Sequence, residues 1–145
     1  MKGLAGKNAL ITGASSGIGQ AIAIRLAQEG CNIAINYRKG LEAAEDTAEM
    51  ALQKAPSESV KTVLIQGDVS KEEDILNMVK TTIDTFGSLD ILVNNAGIQT
   101  EYPSHEIPTE NFDRVIGVNL RGSFLCAREA LKHFVSRNYS GTIIN

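Results

Sequence analysis

The run Asn8-Ala9-Leu10-Ile11-Thr12-Gly13-Ala14-Ser15-Ser16-Gly17-Ile18-Gly19 carries a short apolar segment straight into three glycines, and helical spacing of apolar residues follows at once. A strand that turns sharply into a helix needs glycine where the backbone takes positive φ or comes close to a ligand. The first turn of that helix offers unpaired N–H groups to an anion, and a pyrophosphate fits such a turn. The glycines are spaced G-x-x-x-G-x-G, not the G-x-G-x-x-G of the standard dinucleotide fingerprint. A tight structural turn would use the same glycines. The strand before them and the amphipathic helix after them favour the anion-binding reading.

Outward from this turn, short apolar runs at Asn8 to Thr12, Asn32 to Tyr37, Thr62 to Gln66 and Leu89 to Asn94 are bounded by polar residues or glycine, the pattern of strands buried on both faces. Helical patterns lie between them. Ile18, Ile22 and Leu26 with the surrounding alanines form the first, ended by Gly30. Glu42 to Lys54 forms a second, closed before Pro56. Ser70 and Glu73 have the spacing of a capping box, after which Ile75, Val79, Ile83 and Phe86 mark an apolar face that ends at Gly87. Phe112 to Arg137 reads as one long helix with Val115, Val118 or Asn119, Phe124, Leu131 and Val135 as candidates for its buried side, and a last strand starts at Thr142. Strands alternating with helices imply an α/β fold, a Rossmann-type doubly wound parallel sheet with helices on both faces, truncated after the fifth strand.

Fourteen basic against seventeen acidic side chains among 145 residues leave a net charge of −3, with 43% hydrophobic and 21% charged residues. This composition belongs to a globular chain and provides no basic footprint for nucleic acid or an anionic membrane. The expected partner is a small molecule. Cys31 and Cys126 read as buried reduced thiols. No apolar stretch approaches the roughly 20 residues of a membrane span, and no secretory signal opens the chain, so a cytoplasmic location is expected. Neither histidine has ligand spacing, and no metal site is expected.

At the end of the second strand stands Asn36-Tyr37-Arg38-Lys39. A carboxylate there would bind a ribose 2′-hydroxyl, whereas a basic residue accommodates a 2′-phosphate. Arg38 therefore points to NADP over NAD, although a solvated arginine opening a helix remains the alternative. Gly19 is followed by Gln20-Ala21, so no Walker lysine is present for a nucleoside triphosphate.

Three further segments complete a pattern with Thr12 to Gly19: Gly67-Asp68-Val69, Asn94-Asn95-Ala96-Gly97, and Asn119 within the long helix. Together they resemble the short-chain dehydrogenase/reductase family over the whole chain. That resemblance implies that Gly13, Ser15, Ser16, Gly17, Ile18 and Gly19 wrap the phosphates of NADP or NAD. It places Tyr37 and Arg38 at the adenosine ribose, Asp68 and Val69 at the adenine, and Asn95, Ala96 and Gly97 on the nicotinamide side. Asn119 matches a family asparagine that holds a water of a proton relay. Local roles stay open as well: Asp68 as the cap of a turn, and Asn94 as a tie between strands. Asn36-Tyr37-Arg38, Ser104-His105-Glu106, Arg128-Glu129-Ala130 and Gly141-Thr142-Ile143-Ile144-Asn145 are similar to the bacterial glucose 1-dehydrogenases within the family. This implies oxidation of a sugar or another alcohol with hydride passing to the nicotinamide. His105 reads as an inert loop residue ahead of a substrate ligand, and His133 as a helix-surface residue.

The family's base is a tyrosine with a lysine four residues on, beside a serine. Tyr37, Tyr102 and Tyr139 are followed four on by Leu41, Glu106 and Ile143. A tyrosine near pKa 10 without such help is a poor base at neutral pH. Residues 1–145 are thus expected to be the NAD(P)-binding, N-terminal part of a single-domain enzyme, inactive alone. The missing part would hold the remaining strands and a helix that pairs with the Phe112 to Arg137 helix in a homo-oligomer, a tetramer by family. Thr142, Ile143 and Ile144 would meanwhile form an exposed, aggregation-prone edge. The other reading is a dinucleotide-binding module without chemistry.

Overall fold

Alternation of side chains along the strands sets up two apolar layers, and a computed structural model describing residues 3–145 has both of them. The strands are β1 (Asn8–Ile11), β2 (Asn32–Tyr37), β3 (Thr62–Gln66), β4 (Ile91–Val93) and β5 (Thr142–Ile144). All four pairings are parallel, in the order β3-β2-β1-β4-β5. Ala9, Ile11, Ile33 and Ile35 face one layer with Ala23 and Ala27 of α1 (Gly17–Gln28) and Ala44 and Ala51 of α2 (Leu41–Lys54). Leu10, Ala34 and Leu92 face the other. There they meet Ile75, Met78 and Val79 of α3 (Glu72–Phe86) and Leu125, Cys126, Ala130 and Phe134 of α5 (Ser123–Ser136). The expected doubly wound parallel sheet is present, with β3 and β5 at its edges.

Because the chain runs outward from β1 in both directions, the carboxyl ends of β1 and β4 diverge into separate loops and leave a crevice at the switch point. Small residues bring α1 close to that crevice. Its buried positions are Gly19, Ala23 and Ala27, while Ile18 is 75% exposed and Ile22 and Leu26 are only partly buried. The stripe expected of the larger residues is therefore rotated, since close packing on the sheet selects for small volume.

Two local expectations are corrected. Ser70 does not cap α3, because its amide and hydroxyl both donate to Asp68 Oδ1 (2.9 and 2.7 Å) and Lys71 occupies the capping position. The long helix is divided into α4 (Thr109–Ile116), a π turn at Gly117–Gly122, and α5. A π turn holds an extra residue per turn and shifts the phase of everything after it. Phe124, Leu131 and Val135, expected inside, are 62%, 50% and 78% exposed, while Leu125, Cys126 and Phe134 are buried. Phe112, Ile116, Leu120 and Phe124 form an exposed apolar line at i, i+4 spacing. Both cysteines are buried and free, and burial pushes the Cys126 thiol up to about 12.

A polar cluster closes the amino ends of the strands, away from the crevice. Asp90 accepts the Asn8 amide and an Arg137 guanidinium N–H (2.9 and 2.7 Å), and Asn8 links on to Ser88 and Asn32. Burial opposes the charge of Asp90, but Arg137 and the Asn8 amide outweigh it and hold the carboxyl below its usual range. His133 is part of this cluster, not a free surface residue: Nε2 accepts the Leu89 amide at 3.2 Å. Burial and the neighbouring Arg137 lower its pKa against the opposing charge of Asp90.

A folded-state pKa below the unfolded value of 6.5 means that the neutral imidazole supplies stability present above pH 6.5 and lost as pH falls through the folded value. Thermal unfolding followed by circular dichroism should show a declining melting temperature on acidification below pH 6.5. His133→Gln keeps an acceptor for Leu89 without a proton to gain and should flatten that decline between pH 6.5 and 5. An unchanged slope in this variant would rule out the His133 contribution.

Candidate cofactor site

The crevice at the carboxyl ends of β1 to β4 is an open cleft of about 360 Å³. Gly13, Ser15 and Ser16 form its floor, and Arg38, Lys39, Asp68, Val69, Asn95, Ala96, Gly97 and Val118 are among the residues that line the rest. The floor is the turn that opened the sequence. Ser16 precedes α1 with an extended backbone, and no side chain caps the helix there, so the first amides of α1 have no side-chain cap.

Backbone conformation and packing both account for the glycines. Gly13 has φ +62°, and its missing Cβ would lie 3.0 Å from Ala96 Cα. At Gly19 a Cβ would lie 2.5 Å from both Gly13 O and Asn95 Nδ2. At both positions protein atoms already crowd the place a methyl would take, so the glycines let the turn pack tightly against the β4 loop; the uncapped amides at the start of α1 are the feature that fits a dinucleotide pyrophosphate.

The turn is fixed by polar residues whose importance the sequence reading understated. Asn95 Nδ2 donates to Thr12 O and Gly13 O (2.9 and 3.0 Å), and Thr12 Oγ1 accepts the Asn95 and Ala96 amides, both at 3.0 Å. The β1 and β4 loops are thereby cross-linked. Asn36, buried in β2, accepts the Gly13 amide through Oδ1 and donates through Nδ2 to Ile65 O and Gly67 O. An asparagine inside an apolar strand was the available signal for this role. Thr47 of α2 supports the turn from behind by donating to Ser15 O at 3.3 Å.

At the adenosine end, Arg38 Nη1 stands 3.8 Å from Asp68 Oδ2, with both side chains partly exposed. Burial disfavours the Asp68 charge, but Ser70 and Arg38 outweigh it and keep the carboxyl below its usual range. The turn-capping alternative for Asp68 is thus realised by one of its oxygens, while the other faces Arg38. Tyr37 lies elsewhere. Its side chain is 8% exposed within the apolar layer, and its carbonyl accepts the Gly67 amide at 2.9 Å, so it shapes the wall without facing the cleft.

Gly17, Ile18 and Gly19 belong to the start of α1 and do not line the cleft surface itself. Asn119, in the π turn, pairs with both backbone groups of Ile98 (2.9 Å each) and borders a separate shallow opening with Gly97, Gln99 and Arg114. Asn94 donates to Ser123 O and to Asn145 Oδ1, which makes it a tie between β4, α5 and β5. His105 is an exposed loop residue beside Glu106.

The family model described as short chain dehydrogenase matches residues 7–145. The chain belongs to the short-chain dehydrogenase family. Among relatives of this short-chain dehydrogenase, glucose 1-dehydrogenase 2 of Bacillus subtilis (strain 168) is 41% identical over 145 residues, which cover 99% of this chain and 55% of the relative. A 3-oxoacyl-(acyl-carrier-protein) reductase of Staphylococcus epidermidis is 40% identical over 139 residues, 96% of this chain and 55% of that protein. The solved structure of a short chain dehydrogenase from Burkholderia cenocepacia J2315 in complex with NADP has a TM-score of 0.83 and 36% identity, covering 90% of this chain and 51% of that one. The short-chain dehydrogenase chain described here spans about half the length of the curated relatives it matches. Among its described residues no helix is long and apolar enough to cross a membrane.

Proposed function

We propose that this cleft binds NADP or NAD, with NADP favoured, and that the chain is the cofactor-binding, N-terminal part of a single-domain oxidoreductase. Its substrate would be an alcohol or a sugar hydroxyl, glucose among the candidates. The observation that carries the reading is the open cleft at the switch point, lined by the tightly packed glycine turn that leads into an uncapped helix start. Gly13, Ser15, Ser16, Gly17, Ile18 and Gly19 would receive the pyrophosphate, Arg38 a 2′-phosphate, Asp68 and Val69 the adenine, and Asn95, Ala96 and Gly97 the nicotinamide side. When bound, the nicotinamide supplies a site that takes or gives hydride. The chain's own contribution is to hold the phosphates with backbone amides, to present a guanidinium at the ribose and to fix one wall through Asn95. Asn119 is the proposed member of the catalytic set, through a water on its way to the base. In the family's manner the protein would be a cytoplasmic homo-oligomer, and the exposed line Phe112, Ile116, Leu120 and Phe124 supports a subunit contact.

A second reading, a dinucleotide-binding module without chemistry, draws on the tyrosines. Tyr37 lies in the apolar layer, Tyr102 in an exposed loop, and Tyr139 accepts a hydrogen bond from Lys7 at 2.6 Å at the amino ends of the strands, opposite the cleft. None of the three lines the cleft, and none has a lysine four residues on. Both readings predict saturable enhancement of NADPH fluorescence on titration with protein; no binding of NADPH or NADH removes both. Residues 1–145 alone should show no turnover of glucose or simple alcohols. Turnover by the longer gene product supports the oxidoreductase, and its absence there favours the module.

A further inference from the structure

We infer that Arg121 and Gly122 position the adenine end of the cleft, acting through the backbone of Val69 and Ser70; the inference rests on the dinucleotide reading above. The Asp68 to Ser70 loop shapes itself locally. Asp68 Oδ1 accepts both Ser70 donors, the Asp68 amide donates to Asp74 Oδ2, and the Lys71 amide donates to Asp68 O. None of these bonds fixes the loop against the rest of the cleft. On the β2 side, Asn36 holds Gly67 O.

The other side is held by the π turn. Arg121 Nη1 donates to Ser70 O at 3.0 Å, and its Nη2 lies 3.7 Å from Glu72 Oε2, at the first residue of α3. Next to it, Gly122 packs directly beneath Val69: a Cβ there would lie 2.7 Å from Val69 O and 3.1 Å from Val69 Cγ2. Val118, four residues before Gly122 on the same turn, itself lines the cleft. The π turn thus presents Val118 to the cleft while seating Gly122 against Val69 and aiming Arg121 at Ser70 O. Any side chain at position 122 drives the Val69 carbonyl away from the helix and moves the wall that would meet the adenine.

These are positioning residues, since neither lines the cleft. The test is made on the longest natural form of the protein, with NADPH, or NADH if that is what it binds, and with the matching adenosine half, 2′,5′-ADP or 5′-AMP. Arg121→Ala removes one backbone hydrogen bond and should weaken the dinucleotide and its adenosine half by the same factor, ~3- to 10-fold. Arg121→Lys, which keeps a donor for Ser70 O, should recover part of the loss. Gly122→Ala should weaken both ligands further. A role in general stability would lower the melting temperature of Arg121→Ala without an equal loss for the two ligands. Unchanged affinity for the adenosine half in Arg121→Ala overturns the inference, including when Gly122→Ala fails to fold. Wild-type protein that binds no ligand overturns the dinucleotide reading and this inference with it.

Discussion

Gly19→Ala should abolish useful cofactor binding while Gly117→Ala leaves it intact. The added methyl at position 19 would stand 2.5 Å from Gly13 O and from Asn95 Nδ2, and 2.9 Å from Ala14 Cα. Neither of the first two has room to retreat, because Asn95 Nδ2 is itself the donor that holds Gly13 O. Overpacking of this kind costs about 1–3 kcal/mol of stability. The larger consequence is for the ligand, since the turn that cradles the pyrophosphate must shift by an appreciable fraction of an ångström. Losing one charge-assisted amide bond to the phosphates costs about 1.5–3 kcal/mol, roughly 10- to 150-fold in affinity. A Cβ at Gly117 meets nothing within 4 Å, which makes Gly117→Ala the matched control. NADPH fluorescence titration and thermal melts of both variants check this. Equal affinity in Gly19→Ala and the wild type would mean that the turn does not hold the phosphates.

Arg38→Ala should lower NADP affinity far more than NAD affinity. The guanidinium at the end of β2 is half-exposed, faces the cleft beside Lys39, and has Asp68 Oδ2 at 3.8 Å as its ion-pair partner among the described residues. An exposed pair at that distance is worth little, so a doubly charged 2′-phosphate competes well for the arginine. Charge-assisted hydrogen bonds to a phosphate contribute about 1.5–3 kcal/mol, a factor of roughly 10 to 150 in the ratio of NADP to NAD dissociation constants. Lys39 in the same cleft moderates the loss towards the lower figure. Equal losses for the two cofactors would remove 2′-phosphate recognition from Arg38.

How much of this was readable in the sequence depended on whether a feature was set locally or by packing. β2 and β3 have the bounds that apolar patterning predicts, and Gly87 ends α3 with φ +85°, because strand runs and a left-handed stop are encoded by neighbouring residues. Ser70 failed as a cap because a competing acceptor, Asp68, lies two residues away and takes both of its donors. The face of α5 was misassigned for a different reason. One π turn rotates all later positions, and nothing in a periodicity count distinguishes Gly117 to Gly122 from an ordinary helical segment. His133 joined a buried cluster through Leu89, 44 residues away in sequence, a contact that only the fold creates.

The site divides in the same way. The glycine turn and Arg38 follow from residue type and spacing, and the fold brings them together with Asp68, Val69 and Asn95 to Gly97 around one cleft. Tyr37 points into the core because strand alternation assigns it to the layer of Ile33 and Ile35, a parity readable in advance from β2 alone. The struts Thr12, Asn36 and Asn95 were less accessible, since their roles consist of hydrogen bonds between loops that are distant in sequence.

The central claim is that a nicotinamide dinucleotide lies across the switch point with its phosphates on the Gly13 to Gly19 turn. The most direct measurement is amide chemical-shift mapping of isotopically labelled protein titrated with NADPH. The account predicts saturable shifts concentrated at residues 13–19, at Arg38, at Asp68 and Val69, and at Asn95 to Gly97, with the Asn8, Asp90 and His133 cluster unmoved. Shifts confined to other surfaces, or none at millimolar NADPH and NADH, would contradict it.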